Sequence, residues 1–316
     1  MRPSRPARPI DGVLLLDKPV GITSNAAIQR VKRLFGAAKA GHVGTLDPLA
    51  SGLLPVCLGE ATKFSTDAFS ADKSYAADVL LGVTTATGDT EGEVTSRQAV
   101  DVSREEVLAV LQRFTGELEQ MPPMYSALKH AGKPLYAYAR AGQTIERVAR
   151  PITIHEIALS DMVGERLLIT VTCSKGTYIR VLAEDIGRAL GCGATLAGLR
   201  RTRVGAFGVQ DALALDQLEA ASTAQRTDLL LPVDALVSGL PAIVLTADST
   251  ARILKGQAAQ PEARQPEGML RLYDPVGRFL GLGKMQPDGR LSPKRLVAQP
   301  VAAAGREDYP QTSKIA

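Results

Sequence analysis

The stretch GHVGTLDPLASGLLPVCLG, residues 41–59, decides the reading of this chain. It is dense in glycine and proline and poor in charge, with Asp47 its only charged side chain. Glycine frees the backbone for tight turns, so the segment predicts a functional loop that leads directly into buried structure. Asp47-Pro48 by itself has two readings. It is a common helix start, with Asp as N-cap and Pro in the first helical position, or it is a carboxylate presented by a shaped loop. His42 alone reads more readily as a hydrogen-bonded structural histidine than as a functional one.

Outward from this loop, the segment DGVLLL (11–16) predicts a buried strand ending at the Lys18-Pro19 turn. A helix follows, started by Thr23 or Ser24, with Ile28, Val31, Leu34 and Phe35 on one face and Gly36 to close it. On the other side, Tyr75–Leu81 suits a strand, and a Gly/Thr/Asp-rich loop, GVTTATGDTEGEV (82–94), comes after it. Ser103 and Glu106 make a capping box for a helix through Phe114. Residues 121–150, rich in Pro, Tyr, Lys and Arg, read as an insertion that leaves the core and returns at Pro151. RLLITVTCS (166–174) alternates as a strand, with Ile169, Val171 and Cys173 on one face. TYIRVLAEDIGRALG (177–191) then places Ile179, Leu182, Ile186 and Leu190 on one helical face, and LRRTRVGAFGV (199–209) is strand-like again. Strands and helices interleave without regular βαβ spacing. The expected fold class is therefore α+β, a mixed-sheet domain over residues 11–235.

Beyond Pro232 the texture changes. A short helix (249–255) precedes the strands MLRLYD and RFLGLGKM, with turns at Asp274-Pro275 and Asp288-Gly289. This predicts a separate small β-rich domain over 241–300, flanked by a basic flexible arm at 1–10 and a disordered tail at 301–316. The net charge of +4 and pI near 9.0 lean toward a polyanionic partner. Residues 241–300 alone hold nine Lys/Arg against five Asp/Glu, and Arg2, Arg5 and Arg8 make the N-terminal arm basic.

Several classes are excluded. No apolar run approaches the roughly 20 residues of a membrane span. The three cysteines lack C-x-x-C spacing and the three histidines lack i, i+4 spacing, so neither a disulfide framework nor a metal site is expected, and a cytoplasmic location fits. Lys175-Gly176-Thr177 is in the wrong order for a phosphate-binding loop, and neither Gly191-Cys192-Gly193 nor Gly281-Leu282-Gly283 completes G-x-G-x-x-G. No nucleotide cofactor is expected, and no other.

GHVGTLDPLASGLLPVCLGEATK resembles the signature of TruB-type tRNA pseudouridine synthases, which modify uridine 55 in the T loop. LLLDKPVGITS, YAADVLLGVTTATGDTEG, MPPMYSALKHAGKPLYAYAR, and CSKGTYIRVLAEDIG with AGLRRTRVGAF continue the likeness in order across roughly residues 10–235. The likeness implies a pseudouridine synthase catalytic domain with a thumb-like insertion, a PUA-like RNA-binding domain at the C-terminus, a tRNA partner and a monomer. It places the family's essential aspartate at Asp47, its arginine partner at Arg180, and the tyrosine that stacks on the base and removes the C5 proton at Tyr75. Tyr178 and Leu199 match positions lining the nucleotide pocket. His42 matches the residue that enters the RNA where the target base has left the stack. Lys18 and Pro19 fall in a supporting motif, and Lys129, Lys133, Arg140, Arg147 and Arg150 of the insertion stand ready for phosphates. As isolated residues, Arg180 reads as an exposed helix arginine, and Tyr75, Tyr178 and Leu199 as core packing.

Three functions compete on this reading. The first is isomerisation of uridine, with help to tRNA folding through binding as an added role. The second is RNA binding without catalysis, against which the set Asp47, Arg180 and Tyr75 argues. The third is a carboxylate-dependent nucleoside hydrolase, which needs an activated water and usually a second acid that no comparable motif supplies.

Overall fold

The computed structural model describes residues 10–68, 71–263 and 265–302. A mixed sheet begins with β1 (Gly12–Lys18), β2 (Ala50–Leu58) and β3 (Lys73–Leu81), segments of apolar or alternating character, and the short strand β4 (Gly116–Gln120) ends up at its edge. β5 (Arg150–Val163), β6 (Arg166–Cys173) and β7 (Ala194–Val204) complete it. Their spatial order is β1-β2-β7-β3-β6-β5-β4, with the short strand Leu213–Ala214 beyond β1. All these neighbours are antiparallel except β2 with β7, and Leu213–Ala214 with β1, which are parallel. The fold is α+β with a mixed sheet.

The sheet is covered on both faces, which explains the unbroken apolar run of β1. Leu14 and Leu16 face one cluster, shared with Ile28, Val31 and Phe35 of α1 (Ser24–Phe35), Val107 and Leu111 of α2 (Arg104–Arg113), and Leu182 and Ile186 of α3 (Ile179–Ala189). Val13 and Leu15 face a second cluster with Leu53, Phe64, Val233 and Val237. The helix ends follow their caps. Thr23 accepts from the Ala26 amide, Gly36 closes α1 with φ +64°, and Ser103 and Glu106 form the reciprocal box at α2.

The parallel junction of β2 and β7 runs unusually close. Gly52 pairs with Arg201 at φ +101°, and a Cβ there would lie 2.3 Å from the Arg201 carbonyl oxygen. Only glycine fits, for both space and backbone.

The C-terminal strands are β8 (Gly268–Tyr273), β9 (Arg278–Met285) and β10 (Leu291–Ala302), which form a small sheet with Ala242–Val244 at its edge. α4 (Ala247–Leu254) packs Ile253 into its core. This domain is firmly seated. Phe279 and Tyr273 join the second cluster, with Phe64 edge-on to Phe279 at 5.3 Å. Tyr273 donates to the Asp234 carboxylate at 2.6 Å, and Lys63 donates to the Leu296 carbonyl at 3.0 Å.

Several expectations need correction. Asp47-Pro48 starts no helix. The Asp47 carbonyl accepts from the Ala50 amide, so a tight turn leads straight into β2. The run beginning at Leu199 is the second half of a strand that starts at Ala194, because the small residues ATLAG hide its alternation. Ile10 belongs to the folded part, packed against the first cluster, and the remainder of the expected arm lies outside the described residues. Residues 301 and 302 still belong to β10, and the rest of the expected tail also lies outside the described residues.

Candidate active site

The site forms where the turn before β2, the strands β3 and β7, and the N-terminus of α3 meet. Asp47 sits in the turn, its side chain 44% exposed, and Arg180 reaches it from the first turn of α3 at 3.0 Å. Arg180 is itself buried, contrary to the bland reading of an exposed helix arginine. Its guanidinium has three further partners: it donates to the Thr87 carbonyl at 2.9 Å and the Tyr125 carbonyl at 2.8 Å, and lies 3.6 Å from Asp89. Such a fork, fixed by four partners, holds one carboxylate at a set place and leaves the other side of Asp47 open.

Asp89 is buried, accepting from the Thr87 hydroxyl at 2.6 Å and the Glu91 amide at 3.2 Å. It lies in the Gly/Thr/Asp-rich loop, whose composition signalled only turns. The Tyr125 contact shows that the start of the 121–150 segment closes over the same arginine. That segment consists of a small hairpin, Lys129–His130 with Lys133–Pro134, followed by a helical turn at Leu135–Ala139. Lys133 lies over the Tyr138 ring and Arg140 over the Tyr136 ring, while Arg147 donates to the Pro122 carbonyl at 3.0 Å. Lys129 is exposed.

Tyr178 precedes α3 and is fixed through its backbone, which exchanges two hydrogen bonds with the Gln120 side chain at 2.8 and 3.1 Å. Burial pushes its phenol up. Leu199 is half-buried on β7, between Ala50 of β2 and Ala77 of β3. Tyr75 stands on β3, directly opposite Arg201 of β7 and Val171 of β6. Its phenol is buried, which pushes its pKa up, and Arg201 opposes that rise. Asp47 acts on both tyrosines through its charge. The structure thus brings Asp47, Tyr75, Tyr178 and Arg180 together, with Leu199 two residues along β7 from Arg201, the strand partner of Tyr75.

His42 lies beside this group, half-buried, with its Nε2 3.2 Å from the Thr45 hydroxyl. Burial and then Arg201 hold its pKa below the ordinary value, so the ring is neutral at pH 7. Lys18 is fully buried. It donates to the Pro19 and Ile22 carbonyls, each at 2.8 Å, and so pins the turn whose Gly21 amide donates to the Pro48 carbonyl. Burial lowers its pKa to about 8, against the opposing pull of Asp47.

Sequence reasoning missed Asp89, Arg201, Lys73 and Gln120. Lys73 and Arg201 are buried cations, at 5% and 1% exposure, in strands where a basic residue reads as solvent-facing. Among the described residues, no group of three or more His, Cys, Asp or Glu is placed to hold a metal ion, and no helix is long and apolar enough to cross a membrane.

Five arginines of the C-terminal domain are engaged within the chain. Arg278 pairs with Asp274, Arg290 with Asp288 and Arg271 with Asp234, while Arg252 and Arg295 donate to the carbonyls of Ala258 and Lys63. Lys255, Lys284 and Lys294 are exposed.

Comparison with known proteins identifies the family. Residues 32–179 match the N-terminal domain of TruB family pseudouridylate synthases, and residues 180–238 and 241–297 match C-terminal domains of the same family. A tRNA pseudouridine synthase B of Methylobacillus flagellatus is 54% identical over 95% of this chain and 99% of its own length. Its counterpart in Cupriavidus metallidurans is 55% identical over 94% of this chain and 97% of its own. Among solved structures, a chain of a Cbf5-Nop10-Gar1 complex superposes with a TM-score of 0.67 at 28% identity, covering 87% of this chain and 78% of that one. The chain belongs to the TruB family of pseudouridylate synthases.

Proposed function

We propose that this protein converts uridine 55 in the T loop of tRNA to pseudouridine, with Asp47 as the essential group. The observation that carries the reading is the half-exposed Asp47 carboxylate, paired at 3.0 Å with the buried Arg180 and near enough to Tyr75 and Tyr178 to act on both through its charge. The reaction breaks the bond between uracil N1 and ribose C1′, turns the base, and joins C5 to C1′. It consumes no external reactant, so a carboxylate within the site suffices as nucleophile or base. The tRNA identity of the substrate rests on the relatives.

The uridine is stacked inside a folded loop and must leave it before reaction. His42, neutral and at the rim, is suited to fill the gap left in the stack. Tyr75, Tyr178 and Leu199 then line the place for the extruded base, with Tyr75 as acceptor of the C5 proton. Residues 121–150 close on the RNA, and the domain at 241–300 adds affinity as a PUA-like module through its exposed lysines. The enzyme works as a monomer in the cytoplasm, and tRNA binding by itself assists tRNA folding.

The test uses unmodified tRNA with tritium at uridine C5. Wild-type protein is expected to release tritium without added metal or cofactor, Asp47→Ala to bind the tRNA but release none, and a transcript with cytidine at position 55 to release only background. Undiminished release by Asp47→Ala would sink the role of that carboxylate. Free uracil among the products would mean hydrolysis instead.

A further inference from the structure

Arg201 is one of the largest fully buried side chains in the protein, and its guanidinium has no carboxylate partner among the described residues. Its Nε donates to the Leu53 carbonyl at 2.7 Å and its Nη2 to the Gly44 carbonyl at 2.8 Å, and it also contacts the Tyr75 phenol. Gly44 lies three residues before Asp47 and Leu53 six residues after it, so one side chain ties both ends of the Asp47 turn to the strand carrying Tyr75. The backbone is moulded around it. A Cβ on Gly44 would stand 3.0 Å from Nη1, and Gly52 is required beside the Arg201 backbone.

Tethering two carbonyls needs only a neutral donor. A buried, unpaired cation is a costly way to do it, so the charge asks for its own explanation. The anionic form available to it is the Tyr75 phenolate: Tyr75 is the group whose charge favours ionised Arg201. Other charged or titratable groups near this pair are Cys173 of β6 and Asp47 on the Tyr75 side, and Lys73, Lys18 and His42 on the Arg201 side. The three basic neighbours cannot neutralise Arg201.

We propose that Arg201 is a positioning residue for the proton-transfer half of the reaction, fixing Tyr75 against the Asp47 turn and stabilising its phenolate as the acceptor of the C5 proton. This rests on the reading of Tyr75 given above. In that step the C5–H electron pair returns to the ring as the C5–C6 double bond, and the proton passes to the Tyr75 oxygen. The bond between C6 and N1 becomes single, and N1 takes a proton from water. Tyr75 then returns its proton to solvent, so the sum is an isomerisation. A cation held against the phenol favours the deprotonated form that the step requires.

The experiment is single-turnover conversion of tRNA carrying protium or deuterium at uridine C5, by wild type, Arg201→Lys, Arg201→Met and Tyr75→Phe. Circular dichroism and tRNA affinity are measured on each protein. Arg201→Met is expected to slow turnover at least about ten-fold and to enlarge the C5 isotope effect, because proton removal becomes more fully rate-limiting. Arg201→Lys, which keeps the charge without the fork, is expected to fall between it and wild type. A wild-type rate in Arg201→Met, or a slowed rate with the wild-type isotope effect, overturns the proposal in favour of a purely structural arginine. If Arg201→Met does not fold, Arg201→Lys decides by the same criteria. Full activity in Tyr75→Phe would remove the underlying reading, whereas a slow Tyr75→Phe beside unaltered isotope effects in the Arg201 variants would remove this inference alone.

Discussion

Replacing Arg180 by methionine separates what this arginine does for the fold from what it does for the reaction. The side chain is 7% exposed and Asp89 6%, whereas Asp47 is 44% exposed. Asp47 can therefore turn to water when its partner goes, and its pairing is screened. Asp89 cannot. Orphaning a buried charge costs about 3–5 kcal/mol. Asp89 retains the Thr87 hydroxyl and the Glu91 amide, which places the loss near the lower end, about 3 kcal/mol. At roughly 2–4 °C per kcal/mol for a domain of this size, the melting temperature should fall by roughly 6–12 °C. Adding Asp89→Asn removes the orphaned charge while keeping an acceptor for both remaining bonds, and should restore at least half of that loss. The rate should not return. Asp47 has lost the charge-assisted bond that fixes it, about 1.5–3 kcal/mol, or roughly 10- to 150-fold in single-turnover tritium release. Melting followed by circular dichroism, with tritium release on the same preparations, checks both halves. Wild-type melting in Arg180→Met, or a rate that recovers together with stability in the double variant, would refute the division of labour.

Two further outcomes are expected. Lys18 and Lys73 titrate near 8 in the folded protein, against 10.5 unfolded, because burial disfavours their charged forms. Above about pH 8 the unfolded chain therefore holds more protons than the folded one, so stability gains from these groups as pH rises from about 8 toward 10.5. Lys18→Met should reduce that gain, measured as the dependence of melting temperature on pH, and an unaltered slope would count against a buried, destabilised ammonium. The triple substitution Lys255→Ala, Lys284→Ala and Lys294→Ala should weaken tRNA binding and lower the slope of log affinity against log salt by about 0.7–0.9 for each lysine that meets a phosphate, without slowing conversion of bound tRNA. An unchanged slope would place the RNA contacts elsewhere.

The sequence revealed the architecture where one physical signal dominated. Alternation exposed β6, the helical period exposed α3, and the caps at Thr23, Gly36, Ser103 and Glu106 fixed helix ends within a residue or two. It failed where signals conflicted. Pro293 and Pro300 with Lys294 and Arg295 disguised β10, yet this is an edge strand, where proline is tolerated. In the site, Asp47 was ambiguous as an Asp-Pro pair, and its partnership with Arg180 came from family likeness, since no local pattern joins residues so far apart. Arg200 and Arg201 adjoin in sequence, but one pairs with Asp17 at 2.6 Å at the surface and the other is interior. Strand alternation predicts that they point to opposite faces but not that both faces are covered, which depends on α1, α3 and the C-terminal domain together.

The apolar cluster joining the sheet to the C-terminal domain also bears on how the chain is made. Phe64 leaves the ribosome long before its partner Phe279, and at roughly 5–20 residues per second the 215 residues between them take roughly 10–40 s to synthesise. For that interval Val13, Leu15, Leu53 and Phe64 have no C-terminal cover. The nascent chain thus carries a temporary sticky face, open to chaperones and to aggregation, and residues 241–302 act first as a folding lid. A truncated chain would stay in that unfinished state, so loss of RNA binding on truncation would report incomplete folding as much as missing contacts.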